Sequence, residues 1–513
     1  MSSYFQDNRT ETDHGRRSLH SGAIAMTAKA ANALISIGSV LFLARLLAPE
    51  DYGLVSMVAA ITGFAPLLVD LGTHDAVVQR PSISEEEVSA LFWITMSVGG
   101  GTAILAASCG PLIARFYHEP RLTMITLVSA LSFIASALTC MHYALLRRAM
   151  KFKDIGAVEV SANFLSAAFA VCLAFRGFHY WALVLRPLVM TFLLAIGVWW
   201  RCRWLPLRPK ITPGVKAMLK FGLNSTGFTM SDFAGRSSDK VAIGYRSGPR
   251  PLGYYQNATF VYDNLIDILV FPTHGVAVAS LSKLRDNLTE LRRLWGKALA
   301  SLSFYAMPAF GLLAVTSRDV IAVLLGPRWM SAGVLLSVLA LRGIPHCVER
   351  TLGWLHVAAG RSDRWMRWGM FATCAQLVAL FAGLPYGPKG VVTAYVVCMF
   401  ILFIPAIAYA GKPLGIGAKD VIRVVYRPMI GSLTAAGTGF LLRQALPASM
   451  TAIPRIGLLS IVYAAVYFLI TVGLLREFMP IQVFLQLLRD FLPPRFARLV
   501  RTPGLNRPRY ETT

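Results

Sequence analysis

Charged residues are scarce in this chain of 513 residues. Asp, Glu, Lys and Arg together make up 15%, whereas soluble globular proteins carry about 25%. Acidic residues are the scarcer kind, since 26 Asp and Glu stand against 50 Lys and Arg, and the net charge is +24. Hydrophobic residues make up 55%, and the mean hydropathy is +0.56. This composition excludes a soluble enzyme, a disordered chain and a fibrous protein, and it indicates an integral membrane protein.

Cysteine is also rare, and the seven cysteines form no CxxC pair. No group of Cys and His is large enough to fill a metal shell, so disulfides, a bound metal and a cofactor are not expected. The phosphate-binding loop GxxxxGK(S/T) is absent. No basic stretch alternates with aromatic residues as in proteins that bind single-stranded nucleic acid. We therefore attribute the positive charge to loops that face anionic membrane lipids, and we expect no nucleic-acid partner.

Long apolar runs recur along the chain, bounded by proline, glycine or charged residues. One membrane-crossing helix needs roughly 20 mostly apolar residues, so the sequence predicts an all-α polytopic membrane protein with about 14 transmembrane helices. Ser84 and Glu87 predict a capping box at the start of the third span. The connections are short, which leaves no room for an extramembrane domain. The candidate spans are 21–47, 53–72, 88–112, 122–144, 155–176, 179–200, 216–245, 254–280, 298–325, 331–358, 368–384, 388–410, 424–446 and 456–475.

The short connections alternate in their content of Lys and Arg. If the N-terminus is cytoplasmic, the inner segments hold roughly three times as many basic residues as the outer ones, as the positive-inside rule requires. We therefore predict that both termini are cytoplasmic. The basic tail after residue 476 carries several arginines and apolar residues, which is typical of a surface helix on anionic lipid.

A short pattern repeats at an offset of 200 residues. Pro49-x3-Gly53 follows the first span, and Pro249-x3-Gly253 follows the seventh. Six spans separate the copies, and an even number preserves orientation, so the sequence predicts two parallel six-helix lobes followed by two helices. The predicted segments are a cytoplasmic tail at 1–20, an N-lobe at 21–205, a C-lobe at 214–410, two further spans at 421–476 and a basic tail at 477–513.

Nine short motifs follow one another within residues 25–410. They are LARLLAPEDYGL at 43–54, DLG at 70–72, AVVQR at 76–80, PLIARFY at 111–117, LLRR at 145–148, WAL at 181–183, LGYY at 252–255, LSKLR at 281–285 and LGPRW at 325–329. This ordered series resembles the polysaccharide-exporting flippases of the Wzx type. That family belongs to the multidrug/oligosaccharidyl-lipid/polysaccharide exporter superfamily.

The resemblance implies two lobes around a central cavity, working by alternating access. It also implies the cargo, a polyprenyl-diphosphate-linked oligosaccharide repeat unit, and the location, the bacterial inner membrane. The product would be an exopolysaccharide or a lipopolysaccharide with its O-antigen. Polysaccharide polymerase machinery would be a further partner.

Ionisable residues inside spans are costly and tend to face a cavity or a partner. Arginine suits a diphosphate, because its planar fork donates paired hydrogen bonds. Positions 236 and 240 share one helical face, and so do 342 and 350. The candidate substrate-binding cations are Lys29, Arg186, Arg236, Lys240, Arg342 and Arg350.

Carboxylates lie in the same or neighbouring spans as these cations, and we assign them to coupling or gating. An alternative is internal ion pairing, such as Asp232 with Arg236 or Glu349 with Arg350, which would make both partners part of the scaffold. The coupling or gating candidates are Asp70, Glu159, Asp232, Asp239, Asp263, Asp267 and Glu349.

Two other functions remain open at this point. A drug/cation antiporter of the same superfamily would favour a net acidic cavity, whereas the charges within these spans are near balance or slightly basic. A polysaccharide polymerase or glycosyltransferase would need a long outer loop with a catalytic cluster, and the sequence offers neither. We therefore expect a flippase and not an enzyme.

Overall fold

The computed structural model describes residues 14–80, 82–210, 212–284, 287–447 and 449–478. These residues form helices, turns and short connections, and no strand occurs among them. The predicted all-α class is therefore confirmed. By its internal contacts the chain divides into two compact units. Unit 1 is Met1–Gln256 with Leu324–Arg328, and unit 2 is Asn257–Val323 with Trp329–Thr513.

Unit 1 holds nine helices and the start of a tenth. The first begins before residue 21, so part of the predicted N-terminal tail is helical, and residues 1–13 lie outside the described part. The helices are α1 His14–Leu46, α2 Pro49–Thr62, α3 Ala65–Asp70, α4 Thr73–Gln79, α5 Glu85–Tyr117, α6 Arg121–Arg148, α7 Phe152–Phe175, α8 Tyr180–Cys202, α9 Pro213–Ser247 and α10 Pro249–Lys283.

The predicted second span, 53–72, is two helices instead of one, α2 and α3, and a third helix, α4, follows its predicted end. α2 starts at Pro49, so the outer loop expected between the first and second predicted spans is instead the first turn of α2. α3 ends at Asp70, where Leu71 and Gly72 take left-handed φ values of 48° and 63°, and α4 continues as far as Gln79. The predicted span ends at residue 72, close to the end of α3, but the sequence missed the break between α2 and α3 at Gly63, because glycine is tolerated inside an apolar run.

Unit 2 holds the rest of α10 and six further helices, which include the predicted spans nine to fourteen. The basic tail at 477–513 lies outside the described residues except for Glu477 and Phe478. The helices are α11 Leu288–Leu324, α12 Met330–Ala358, α13 Ser362–Gly383, α14 Gly387–Gly411, α15 Ala418–Ala445 and α16 Ala452–Phe468, which continues as a π-helical turn at Leu469–Leu474.

Ten stretches of the described residues are long and apolar enough to cross a membrane. One of them, Asp363–Leu414, covers both α13 and α14. α9, α10 and α15 coincide with predicted spans but are outside these ten stretches. The protein is thus a multi-pass membrane protein, and the count of 14 crossings stays a prediction, as does the division into lobes at residues 205–214.

The predicted capping box at the start of α5 is confirmed. The Glu87 backbone N–H donates to the Ser84 hydroxyl at 3.2 Å, and the Ser84 N–H donates to the Glu87 carboxylate at 3.1 Å. Arg80 completes this cluster, because its Nη1 lies 3.0 Å from Oε1 of Glu87. Arg80, Ser84 and Glu87 therefore hold the start of α5. Arg80 and Glu87 also contact the start of α9, as described below.

Candidate functional site

A cavity of about 340 Å³ lies inside unit 1, between the α3–α4 break and helices α6, α7 and α8. A water molecule takes about 30 Å³ of liquid, so several waters fit. Part of the lining is apolar and comprises Pro66, Val69 and Leu194. The polar lining comprises Asp70, His74, Ser136, Thr139, Tyr143, Glu159 and Thr191. Two of the predicted coupling or gating carboxylates, Asp70 and Glu159, therefore line the same cavity.

Asp70 is part of the helix break itself. Its Oδ1 accepts the backbone N–H of His74 at 3.1 Å, an amide that the first turn of α4 leaves without a helical partner. The thiol of Cys140 on α6 donates to the same oxygen at 3.3 Å. Asp70 therefore ties α4 to α6, a structural role in addition to any role in gating.

Glu159 is held by a neighbouring helix. The hydroxyl of Tyr143 on α6 donates to Oε1 of Glu159 on α7 at 2.6 Å. The rings of Tyr143 and His74 pack edge to face with centroids 5.5 Å apart. Nε2 of His74 is buried without a hydrogen-bond partner among the described residues. The cavity thus combines two carboxylates with a histidine and a phenol.

Arg186 lies in a polar network that links three helices of unit 1. Its Nη2 donates to Oδ1 of Asn163 on α7 at 3.4 Å. The Asn163 amide donates to the Asn32 side chain at 3.1 Å and to the Ser36 hydroxyl at 3.2 Å, both on α1. Lys29, one turn before Asn32, is exposed. The two N-lobe cations therefore differ, since Arg186 is half-buried in a network and Lys29 is on the surface of α1.

The predicted charges of α9 are Asp232, Arg236, Asp239 and Lys240, and the structure describes the side chains of the last three. The Tyr255 hydroxyl donates to Oδ2 of Asp239 in a short hydrogen bond, which joins α10 to α9. Arg236 is exposed, and Lys240 is half-buried. The side chain of Asp232 lies outside the described residues, so its predicted pairing with Arg236 stays a prediction.

In unit 2 the predicted residues of α12 lie around a buried tyrosine of α10. The Tyr262 hydroxyl lies 2.7 Å from Nδ1 of His346, and their rings are stacked. Arg342, one turn before His346, is half-buried, and its Nε lies 3.3 Å from Sδ of Met399 on α14. Pro345 lies inside α12 between them. The proline inside α12 and the predicted cation Arg342 therefore lie within one turn of each other.

The other predicted charges of unit 2 are Glu349 and Arg350, about two turns after Arg342 on α12, and Asp263 and Asp267 on α10. Arg350 is exposed, and its Nη2 lies 4.0 Å from Oδ1 of Asp267 on α10. Glu349 lines a narrow cleft with Trp368, Gln376 and Met399, and Asp263 is exposed. The described contact of Arg350 is with Asp267, and the pairing predicted between Arg350 and Glu349 stays a prediction.

The structure thus brings the predicted charges into two sets, Asp70 with Glu159 in unit 1 and Arg350 with Asp267 in unit 2. Sequence reasoning missed the uncharged polar residues Tyr143, Asn163 and Tyr262, which contact Glu159, Arg186 and His346 respectively. Polar residues inside an apolar span give only a weak signal compared with a charge. No group of three His, Cys, Asp or Glu residues able to hold a metal ion occurs in the part of the chain that the structure describes.

The fold matches that of a solved membrane protein. It matches the structure of the lipid II flippase MurJ in an inward closed conformation, with a TM-score of 0.70 and 14% identity. That match covers 89% of this chain and 100% of MurJ. At this identity the likeness establishes the fold alone.

The chain belongs to the polysaccharide biosynthesis protein family, whose model matches residues 42–333. It is 24% identical to the lipopolysaccharide biosynthesis protein WzxC of Escherichia coli over 76% of this chain and 80% of WzxC. It is also 24% identical to the teichuronic acid biosynthesis protein TuaB of Bacillus subtilis, over 64% of this chain and 68% of TuaB. The resemblance to Wzx-type flippases is therefore confirmed.

Proposed function

We propose that the protein moves a polyprenyl-diphosphate-linked oligosaccharide repeat unit across the bacterial inner membrane. The observation that carries this proposal is the family match over residues 42–333, in a chain with ten apolar helical stretches and the MurJ fold. WzxC and TuaB are named for the biosynthesis of lipopolysaccharide and teichuronic acid. We assign this chain to exopolysaccharide or lipopolysaccharide (O-antigen) biosynthesis.

The diphosphate sets the energetic problem of this transport. An unpaired ion that leaves water carries a large desolvation cost, and fixed cations with hydrogen-bond donors offset part of it. Arg342 is the first candidate, because it is half-buried beside the Tyr262–His346 pair. Lys29, Arg186, Arg236, Lys240 and Arg350 are the further candidates. Arg186 already donates to Asn163, and because a guanidinium has five N–H donors, a contact with the cargo would add to or replace this one.

The carboxylates are proposed to act in coupling or gating. Asp70 and Glu159 line the same cavity of unit 1, where a change of protonation would alter the contacts of α4 and α7. Asp263, Asp267 and Glu349 lie near the candidate cations of unit 2. Asp239 binds Tyr255 between α9 and α10, and Asp232 completes the set from the sequence.

The mechanism we propose is alternating access. The head group enters from the cytoplasmic leaflet, the prenyl chain stays in lipid, and the head group leaves to the outer leaflet without a covalent step. Both termini would be cytoplasmic, the basic tail would bind anionic lipids, and polysaccharide polymerase machinery would receive the product.

The assignment to transport is tested with purified protein in liposomes. The protein should move a lipid-linked oligosaccharide between leaflets while mass spectrometry finds the mass of the lipid unchanged. Transfer of a sugar or chain elongation by the protein alone would make it an enzyme. Efflux of a cationic dye in place of the lipid would make it a drug antiporter.

A further inference from the structure

The two copies of the repeated Pro-x3-Gly pattern are in contact within unit 1. A Cβ atom on Gly53 would lie 1.7 Å from the carbonyl oxygen of Pro249. A Cβ atom on Gly253 would lie 1.8 Å from the carbonyl oxygen of Pro49. The first turns of α2 and α10 therefore touch through their backbones, each glycine against the proline carbonyl of the other helix. These four residues are the outer contact, named for their place in the predicted topology.

The outer contact is supported on both sides. Next to Pro49, Glu50 binds Nη2 of Arg121 on α6 at 2.6 Å, and the same arginine binds Glu119. At the end of α9, the Tyr245 ring stacks on Phe116 of α5 with centroids 4.8 Å apart. The last turn of α9 and the first turn of α10 are thus docked on α2 and α5.

The opposite end of α9 has a close contact of a different kind. A Cβ atom on Gly214 would lie 1.9 Å from Oε1 of Glu87 and 2.8 Å from Nη1 of Arg80. Glycine at 214 therefore lets the first turn of α9 rest on the ion pair and capping box that start α5. Arg80, Glu87 and Gly214 are the inner contact. α9 is held at both ends against the same set of helices.

We propose that the outer and inner contacts are the two gates of the transport cycle, and that glycine at 53 and 253 is what allows the outer gate to close. This inference rests on the proposed function, since only a transporter needs both ends to open in turn. The outer gate is a backbone contact between repeated elements and the inner gate is a backbone-to-carboxylate contact. A side chain at a gate glycine should open that gate alone.

The test is hydrogen–deuterium exchange of the purified full-length protein, which needs no added label. In Gly53→Ala, backbone amides of residues 48–57 and 249–256 should exchange at least about tenfold faster than in the unsubstituted protein, because local opening sets their rate. Residues 82–90 and 212–219 should keep their rates. In Gly214→Val the inner segments should exchange faster and the outer segments should not.

Gly100→Ala is the matched control. Gly100 lies in α5 with no atom within 4 Å of a Cβ placed there, so its exchange rates should equal those of the unsubstituted protein. Gly253→Ala tests the outer gate from the other helix and should reproduce Gly53→Ala. Equal effects of Gly53→Ala and Gly214→Val on both ends, or no effect, would overturn the proposal. So would failure of both outer variants to fold, because the contact would then be a fixed part of the fold.

Transport is measured separately on the same variants. Gly53→Ala and Gly214→Val should each slow translocation, whereas Gly100→Ala should not. If the unsubstituted protein moves no lipid-linked oligosaccharide, the proposed function fails while the exchange data still decide the gates. If the protein transports and the exchange pattern is absent, the gates alone are wrong.

Discussion

Asp319 on α11 lies 3.1 Å from Nη1 of Arg455 on α16, and the side chain of Asp319 is 6% exposed. Its other oxygen lies 2.9 Å from Nη2 of Arg443 on α15. Arg455 also donates to the backbone carbonyls of Pro447 and Met450 in the α15–α16 connection. One buried carboxylate therefore fastens both C-terminal helices of unit 2 to α11.

Loss of this carboxylate should destabilise the protein. Asp319→Ala leaves two largely buried arginines without their counter-ion, a change that costs roughly 3–5 kcal/mol in buried pairs. The measurement is the midpoint of chemical unfolding in detergent. The control is Glu290→Gln, which removes an exposed pair with Arg293 and should change the free energy of unfolding by less than about 1 kcal/mol. Equal midpoints for the two variants would contradict this account.

Asp70→Ala should lower stability through the helix break. It removes the acceptor for the His74 amide and the Cys140 thiol, and loss of a helix-start acceptor costs about 1 kcal/mol. Asp70→Asn keeps an acceptor oxygen and should cost less. Asp75→Asn, an exposed neighbour on α4 that pairs with Arg147, is the control. If thermal unfolding finds Asp70→Asn as destabilised as Asp70→Ala, the charge and not the hydrogen bond matters.

Arg342→Ala should slow transport. A charged hydrogen bond contributes roughly 1.5–3 kcal/mol, which corresponds to about a tenfold to hundredfold loss of rate at low cargo concentration. Arg342→Lys should restore part of the rate, since the charge returns but the paired donors do not. Arg361→Ala, at an exposed arginine paired with Asp363, is the control.

If Arg342 has only a structural role, a double substitution should give a different result. If Arg342 only balances a carboxylate, removing Glu349 as well leaves no uncompensated buried charge. The double variant Arg342→Ala with Glu349→Gln would then regain both stability and transport. We expect no such rescue of transport, and a rescue would remove Arg342 from the cargo site.

The topology can be tested with reporter fusions at helix ends. Fusions after Lys210, between α8 and α9, and after Asn287, before α11, should report the cytoplasm. Fusions after Gly248, between α9 and α10, and after Gly326, past the end of α11, should report the outer side. The positive-inside count gives the direction. A cytoplasmic signal after Gly248 would contradict a membrane crossing by α9.

The sequence predicted the helices better than their interruptions. Long apolar runs place most helix ends within a few residues, and Ser84 and Glu87 gave the start of α5 directly. The break between α2 and α3 at Gly63 was missed, because glycine is tolerated inside an apolar run. The predicted span ends at Gly72, close to the end of α3, but the contact between Asp70 and Cys140, which lie 70 residues apart, was not predicted. Such a contact has no local signal.

The charged residues of the candidate site could be predicted from the sequence, but the residues that hydrogen-bond within the site could not. Charges inside apolar spans such as Asp70, Glu159 and Arg342 are conspicuous because burial makes them costly. Tyr143 and Tyr262 could not be singled out, since tyrosine is common in membrane helices and only the fold brings these two to Glu159 and His346. The repeated Pro-x3-Gly pattern was visible in the sequence, but the contact between its two copies is a property of the tertiary structure.

The most direct test of the central claim is a leaflet assay in liposomes that contain the purified protein. A lipid-linked oligosaccharide is placed in one leaflet, and a membrane-impermeant glycosidase outside reports the fraction of head groups on its side over time. With the protein, head groups of the protected leaflet should become accessible, more slowly with Arg342→Ala and at the unsubstituted rate with Gly100→Ala. A protected fraction that stays as large as in protein-free liposomes would contradict the account.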